Sequence, residues 1–276
     1  MMRSWPMCTI SMTALALAGC DGGGIGVASL PPPLTGSSQR TIIPAATTTQ
    51  EFAVMGETIM DNGLGSTLDP SVQIKVRYDA ASQTYEVFLP DGQKWQKIEY
   101  NSTTASRYVY LGSTVSIGAA KTNNQYSRLI DWFDGANSGM TAVGIPTPAN
   151  AIPVSGTASY SGQILGLSSD YHVQNYIDGS IALSFDFGSG GLAGSITPNI
   201  QNGFDLGTIN FRDTVYSTGD KTFSGQFDSD LAGLNSFNGQ FAGPKAEELI
   251  GNFAFPYRSS IDQLIYQVTG AFIGKK

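Results

Sequence analysis

The sequence predicts an all-β protein, with an N-terminal β-rich, handle-like domain followed by an eight-stranded antiparallel β-barrel in a single lobe. Three observations carry that expectation. With 33 Gly, 13 Pro and only 13% charged residues in 276, the composition is that of an exported, turn-rich chain rather than a helical cytosolic enzyme. Short apolar segments recur between NG, DAAS, PDG and TNN turn signals along much of the chain. Three aromatic sets alternate at period two: Phe223, Gly225, Phe227; then Phe237, Gly239, Phe241; then Phe253, Phe255, Tyr257. Such alternation places each set on one face of a strand, with Ser224, Gln226, Asn238, Gln240 and Ala254 on the other.

Residues 1–19 read as a lipoprotein signal peptide. Arg3 supplies a basic start, Ala14 to Leu17 an apolar stretch, and Leu17-Ala18-Gly19-Cys20 a lipobox, so Cys20 is the expected lipidation site. The apolar stretch falls short of the roughly 20 residues a spanning helix needs, so acyl chains on Cys20 would be the membrane anchor. Cys8 would leave with the signal and Cys20 would be modified, which leaves no cysteine for a disulfide. Residues 20–49, rich in Gly, Pro, Ser and Thr without periodicity, read as a flexible tether. Asp21 directly follows the expected acylated cysteine. In some enteric bacteria an Asp there retains a lipoprotein in the inner membrane, so that alternative stands beside the outer-membrane surface.

Residues 50–145 form the expected handle-like domain. Strands are predicted at Phe52 to Met60, Val72 to Tyr78, Tyr85 to Leu89, Trp95 to Tyr100, Tyr108 to Leu111 and Tyr126 to Phe133. Gln73, Lys75 and Arg77 alternate with Val72, Ile74, Val76 and Tyr78, which implies one solvated face. The Pro-bearing GIPTPANAIPV is the expected link to the barrel of residues 146–276. Barrel strands are predicted near Gly156 to Leu165, Ser180 to Phe187, Leu192 to Ile196, Phe204 to Phe211, Thr222 to Phe227, Ser236 to Ala242, Asn252 to Tyr257 and Gln263 to Ile273. Between the last aromatic sets, GPKAEELIG reads as a Gly-Pro turn and a short helical plug with Glu247 and Glu248 as charges near its start. Eight strands leave a lumen narrow enough for side chains to fill, so the aromatic faces predict a packed interior and a ligand at the rim or against the handle.

A net charge of −7 without a basic run argues against nucleic acid and anionic lipid as partners. The only histidine, His172, gives little support to a histidine-cluster metal site or a catalytic triad. No G-x-S-x-G elbow, P-loop or dinucleotide fingerprint stands in the required context, so no enzyme activity and no resident cofactor are expected. The candidate binding residues are Tyr171, His172 and Tyr176 in the polar stretch SSDYHVQNYIDG, together with Trp132. Rigid Tyr side chains suit contact with a partner, and Tyr or His can ligate haem iron, which keeps haem as a candidate ligand. Against this stand a solvated loop for His172 and handle core for Tyr126, Trp132 and Phe133.

The run GQFAGPKAEELIGNFAF resembles the closing signature of the transferrin-binding protein B type of β-barrel lipoprotein. GIPTPANAIPVSGTASYSGQILG, from Gly144 to Gly166, resembles that family's entry into the barrel. The resemblance implies a lipid-anchored outer-membrane protein, surface-exposed, that works beside an outer-membrane receptor in capturing an iron source, haem or a host protein. The alternative is a structural or protective surface lipoprotein, similar in barrel form to complement-regulator binders, which binds a host protein and no small ligand. The transferrin binders carry two lobes and long loops, whereas this chain has one lobe and short loops.

Overall fold

The computed structural model describes residues 49–61, 66–68, 74–82, 84–90, 94–97, 99–101, 106–108, 114–117, 124–133, 137–170, 176–200 and 206–276. The expected signal peptide, Cys20 and nearly all of the expected tether lie outside them. The strands before the linker are β1 (Gln50–Glu51), β2 (Ala53–Asp61), β3 (Ser66–Leu68), β4 (Lys75–Asp79), β5 (Thr84–Phe88), β6 (Gln96–Lys97), β7 (Glu99–Asn101), β8 (Ser106–Tyr108), β9 (Thr114–Ile117), β10 (Ser127–Phe133) and β11 (Asn137–Gly144). They make a four-stranded sheet ordered β1-β4-β5-β6, a five-stranded sheet ordered β3-β2-β11-β10-β9, and a β7-β8 ribbon. Then come β12 (Thr157–Ser168), β13 (Tyr176–Asp186), β14 (Gly191–Ile200), β15 (Ile209–Val215), β16 (Thr222–Phe227), β17 (Ser236–Ala242), β18 (Glu248–Arg258) and β19 (Ile265–Lys275), which close in chain order into one antiparallel barrel. Among the described residues the one helical element is a single 3-10 turn, Ala149–Ala151, in the linker.

Three apolar layers hold these sheets together. Tyr78, Tyr85, Val76 and Val87 of the four-stranded sheet meet Ile130, Trp132 and Val143 of the five-stranded one. On the other face of the five-stranded sheet, Leu129 and Ala142 pack against Ala242, Ile250, Ala271 and Ile273, which point outward from the barrel wall. Inside the barrel, Phe185, Phe187, Phe223, Phe227, Phe237, Phe241, Phe253, Phe255 and Phe272 are buried with Tyr160, Tyr216 and Tyr257. The interior is filled with rings, as an eight-stranded circumference permits.

Glycines across the wall make room for those rings. Phe223 pairs with Gly239 and Gly225 with Phe237 across β16 and β17. A Cβ on Gly239 would sit 2.2 Å from Phe223 Cζ, and one on Gly225 2.6 Å from Phe237 Cζ. Each ring therefore lies on the bare backbone of its cross-strand glycine, which offsets the glycine's low strand propensity. Gly251, beneath the Phe272 ring, repeats the arrangement with a Cβ position 2.1 Å from Cζ.

The structure departs from the sequence reading in three places. The helical plug after Phe241 is absent: Gly243 and Ala246 take φ of +88° and +56°, which breaks a helical run, and β18 begins at Glu248. Strand pairing on both sides, with β17 and with β19, outweighs the weak preference of four or five residues for a helical turn. The strand expected from Phe204 is found instead at Ile209–Val215, with residues 201–205 outside the described set. Strand β11, not anticipated, lies between β2 and β10 in the five-stranded sheet. Residues 139–144 are all buried, so NSGMTAVG shows no polar alternation.

Candidate functional site

The connections at one end of the barrel follow Ser168, Ile200, Phe227 and Arg258. Their described residues form a rim whose base is fixed by buried polar contacts. The Tyr257 hydroxyl donates to Asp170 Oδ2 at 3.1 Å and lies 2.8 Å from Ser168 Oγ, which accepts the Asp170 N–H at 3.0 Å. Ser168, Asp170 and Tyr257 are all buried. Burial, more than the neighbouring Asp170 carboxylate, pushes the Tyr257 phenol well above its ordinary value, so it stays a proton donor at any physiological pH. Gln267 ties three segments of the rim. Its backbone N–H donates to Ser169 Oγ at 2.9 Å, its Oε1 accepts the Leu234 N–H at 3.0 Å, and its Nε2 donates to the Leu234 carbonyl at 2.9 Å.

On this polar base stand exposed apolar side chains. Leu234, Ile261 and Leu264 are 55%, 55% and 56% exposed, and Ile265 is 41% exposed. Scattered exposed apolar residues are ordinary, but three on two connections and a fourth at the head of β19, all at one barrel end, have the composition of a contact surface. The flanking charges are Asp262, which accepts the Tyr266 hydroxyl at 2.5 Å, and Arg258, which donates to the Gln263 carbonyl at 2.7 Å.

Of the residues singled out in the sequence, Tyr176 is the first residue of β13 and pairs with Leu167 at this same end. It is half-buried, and burial raises its phenol pKa, with Asp131 and Asp178 adding to the shift. Tyr171 and His172 lie outside the described residues, directly after Asp170 in the sequence. Trp132 is 1% exposed and donates its indole N–H to Thr141 Oγ1 at 3.1 Å, with its ring over Gly139. That corrects its placement as a ligand contact: the side chain has no free surface and belongs to the core between the two N-terminal sheets. Among the described residues, no cluster of three or more His, Cys, Asp or Glu side chains could hold a metal ion.

Glu248 was the least expected feature. Expected as a charge near the start of a helical turn, it is instead fully buried on the outer wall of the barrel. It accepts hydrogen bonds from the Gln125 N–H, the Tyr126 N–H at 3.0 Å, the Ser127 hydroxyl at 2.7 Å and the Asn124 amide at 3.3 Å. From the other side of that turn, Arg128 donates to the Asn124 and Ser127 carbonyls at 2.5 and 2.6 Å. A buried carboxylate and a buried guanidinium therefore hold one turn of the N-terminal region against the barrel, next to the Leu129 and Ala142 contact. The one sequence signal was the position of Glu248 at the head of the strand LIGNFAFPY.

The described residues thus make a closed, ring-filled barrel packed against a five-stranded sheet, with exposed apolar side chains at one end of the barrel. Residues 152–276 match the family described as the C-lobe and N-lobe β-barrels of transferrin-binding protein B. The solved structures agree in fold. A double mutant of the vaccine antigen transferrin-binding protein B from Haemophilus parasuis superposes with a TM-score of 0.51 at 18% identity, over 81% of this chain and 44% of that one. Intact Ap-TbpB, with its N and C lobes, gives 0.50 at 18% identity, over 80% of this chain and 45% of that one. No curated protein matches the chain. The protein is thus similar to transferrin-binding protein B, and it spans less than half the length of those structures. The resemblance read from GQFAGPKAEELIGNFAF holds for the barrel.

Proposed function

We propose that this chain is a lipid-anchored surface lipoprotein that binds a host or partner protein through the apolar rim of its barrel, beside an outer-membrane receptor. The observation that carries the reading is the pairing of a filled lumen with an exposed rim. Phe227, Phe237, Phe253 and Phe255 occupy the interior, while Leu234, Ile261, Leu264 and Ile265 face solvent at one end. A small ligand has no room inside, whereas an exposed aliphatic rim suits a protein surface. Tyr171, His172 and Tyr176 would extend that surface, and Cys20 would anchor it. The function is binding rather than catalysis, and iron capture is its expected setting.

The test is pull-down from host serum and from outer-membrane extract with the full chain, against a Leu234→Ser, Leu264→Ser variant and a Tyr171→Ala, His172→Ala variant. Loss of a captured protein in either variant, with β-sheet circular dichroism intact, supports the rim. Haem titration runs in parallel. A Soret shift abolished by the Tyr171, His172 pair would replace the protein partner with haem. Capture that survives both variants would move the site to the N-terminal sheets.

A further inference from the structure

We infer that the barrel has a built-in seam between β14 and β15, along which it opens sideways while β15 stays with β16 and β17. The ladders around the wall are very unequal. β12 and β13 pair through 11 residues, and β18 and β19 through another 11, but β14 and β15 pair only at Ser195 with Asn210 and Ile196 with Ile209. Residues 191–194 of β14 face β15 without a ladder partner there. In their place, the Thr214 hydroxyl donates to the Leu192 carbonyl at 2.7 Å, and the Phe211 ring lies on Gly194, whose Cβ would fall 2.7 Å from ring carbon Cε2. A hydroxyl and a ring thus stand in for ladder hydrogen bonds.

β15 is itself poorly fastened. No residue of β15 is fully buried, its pairing with β16 shifts register between Arg212 and Val215, and Asp213 is held at a φ of +48°. That φ strains a residue with a side chain. The charged ties of β15 lie on its β16 side. Arg212 donates to Asp230 Oδ1 at 3.0 Å and to the Ser229 carbonyl at 2.7 Å, with the Asp228 carboxylate 3.8 Å away, and the Asp228 N–H donates to the Asn210 carbonyl at 2.8 Å. The strand is therefore clasped to the β16–β17 connection and only lightly stitched to β14. Few ladder bonds and little burial define the segments that open at least cost, so the first sub-global opening of the barrel runs along this line. Opening lifts Phe211 from Gly194. It also uncovers Phe227 and Phe237, whose ring centroids lie 5.6 and 4.3 Å from that of Phe211.

Amide hydrogen exchange on the full wild-type chain, read by mass spectrometry, tests this directly. Peptides covering residues 191–196 and 209–215 are expected to exchange at least about tenfold faster than those covering β18 and β19. A Ser195→Cys, Asn210→Cys variant, oxidised, should slow both peptides toward the β18 and β19 rate and recover the wild-type rate on reduction, with each single variant as control. ANS fluorescence in mild urea should fall in the oxidised variant. The inference is overturned if residues 209–215 of the wild type exchange as slowly as residues 265–275. It is overturned equally if the oxidised bridge leaves their rate unchanged.

Discussion

Replacing Glu248 by alanine should release the N-terminal sheets from the barrel before either unit unfolds. The carboxylate accepts two backbone N–H groups, one hydroxyl and one amide, all from residues 124–127. Hydrogen bonds to an ionised acceptor contribute about 1.5–3 kcal/mol each, and they are not additive when they share one carboxylate. Removing the acceptor also leaves the turn's donors facing an apolar wall, and deleting one partner of a buried ionic network costs roughly 3–5 kcal/mol. We take that range for Glu248→Ala. Glu248→Gln should recover only part of it, because its amide turns a donor toward donors. The molecule carries its own reporter. Of the three tryptophans, Trp132 lies in β10 and Trp95 just before β6, Trp5 lies in the expected signal peptide, and the barrel has none. In a urea melt, tryptophan fluorescence follows the N-terminal sheets, while amide hydrogen exchange of peptides from β12 to β19 follows the barrel. In Glu248→Ala the fluorescence midpoint should move to lower urea and separate from the barrel transition. A single coincident transition with a loss under about 1 kcal/mol would refute the clamp.

Three further perturbations test the barrel itself. Phe241→Ala removes a ring that contacts Tyr160, Phe185, Phe187, Tyr216 and Phe223 and should cost about 3–5 kcal/mol in a urea melt. A loss below about 1 kcal/mol would place that ring outside. Gly239→Ala should destabilise by roughly 1–3 kcal/mol, because its Cβ meets Phe223 at 2.2 Å, and Phe223→Leu in the same background should restore part of the loss. The Asp186 carboxyl is held below its ordinary pKa by Ser189 and then by the Gly188 N–H. A depressed folded pKa means that its support of the β13–β14 turn is complete above the ordinary aspartate value and fades as pH falls through the lower one. An NMR titration midpoint for Asp186 at the ordinary value would remove the turn cap from the account.

The barrel was legible because its physics is local. Period-two Phe and Gly positions declare a face, and all eight strands were expected in the right order, with Thr222–Phe227 and Ser236–Ala242 matched at both ends. β11 was missed because a strand covered on both faces loses the alternation that marks one covered on a single face. The apparent plug failed for a related reason. A Gly-Pro start and paired acids describe a helix N-terminus and a β-turn equally well, and the pairing of β18 with both neighbours decided between them. Glu248 and Asp170 could not be recognised at all. Their partners, Tyr126 and Tyr257, lie 122 and 87 residues away, and nothing in the intervening sequence marks the contact.

The arrangement also bears on why the proposed binding surface lies at the rim. An eight-stranded wall has two free faces and two ends. The inner face is filled by rings, and part of the outer face, at Ala242, Ile250, Ala271 and Ile273, is covered by the five-stranded sheet. The end nearer the linker is closed by the Tyr160 hydroxyl donating to the Ala246 carbonyl at 2.7 Å, and by Lys276, whose Nζ stands 5.9 and 5.7 Å from the Tyr160 and Phe187 ring centroids. What remains is the opposite rim, where Gln267 and the Asp170 knot hold the backbone still while Leu234, Ile261 and Leu264 project outward. A rigid backbone under the apolar side chains lowers the entropy lost on association, so affinity can come from a few contacts rather than from a large area. Gln267→Ala is therefore expected to weaken partner capture more than it weakens folding. Equal losses in a binding assay and a urea melt would reduce Gln267 to a purely structural residue.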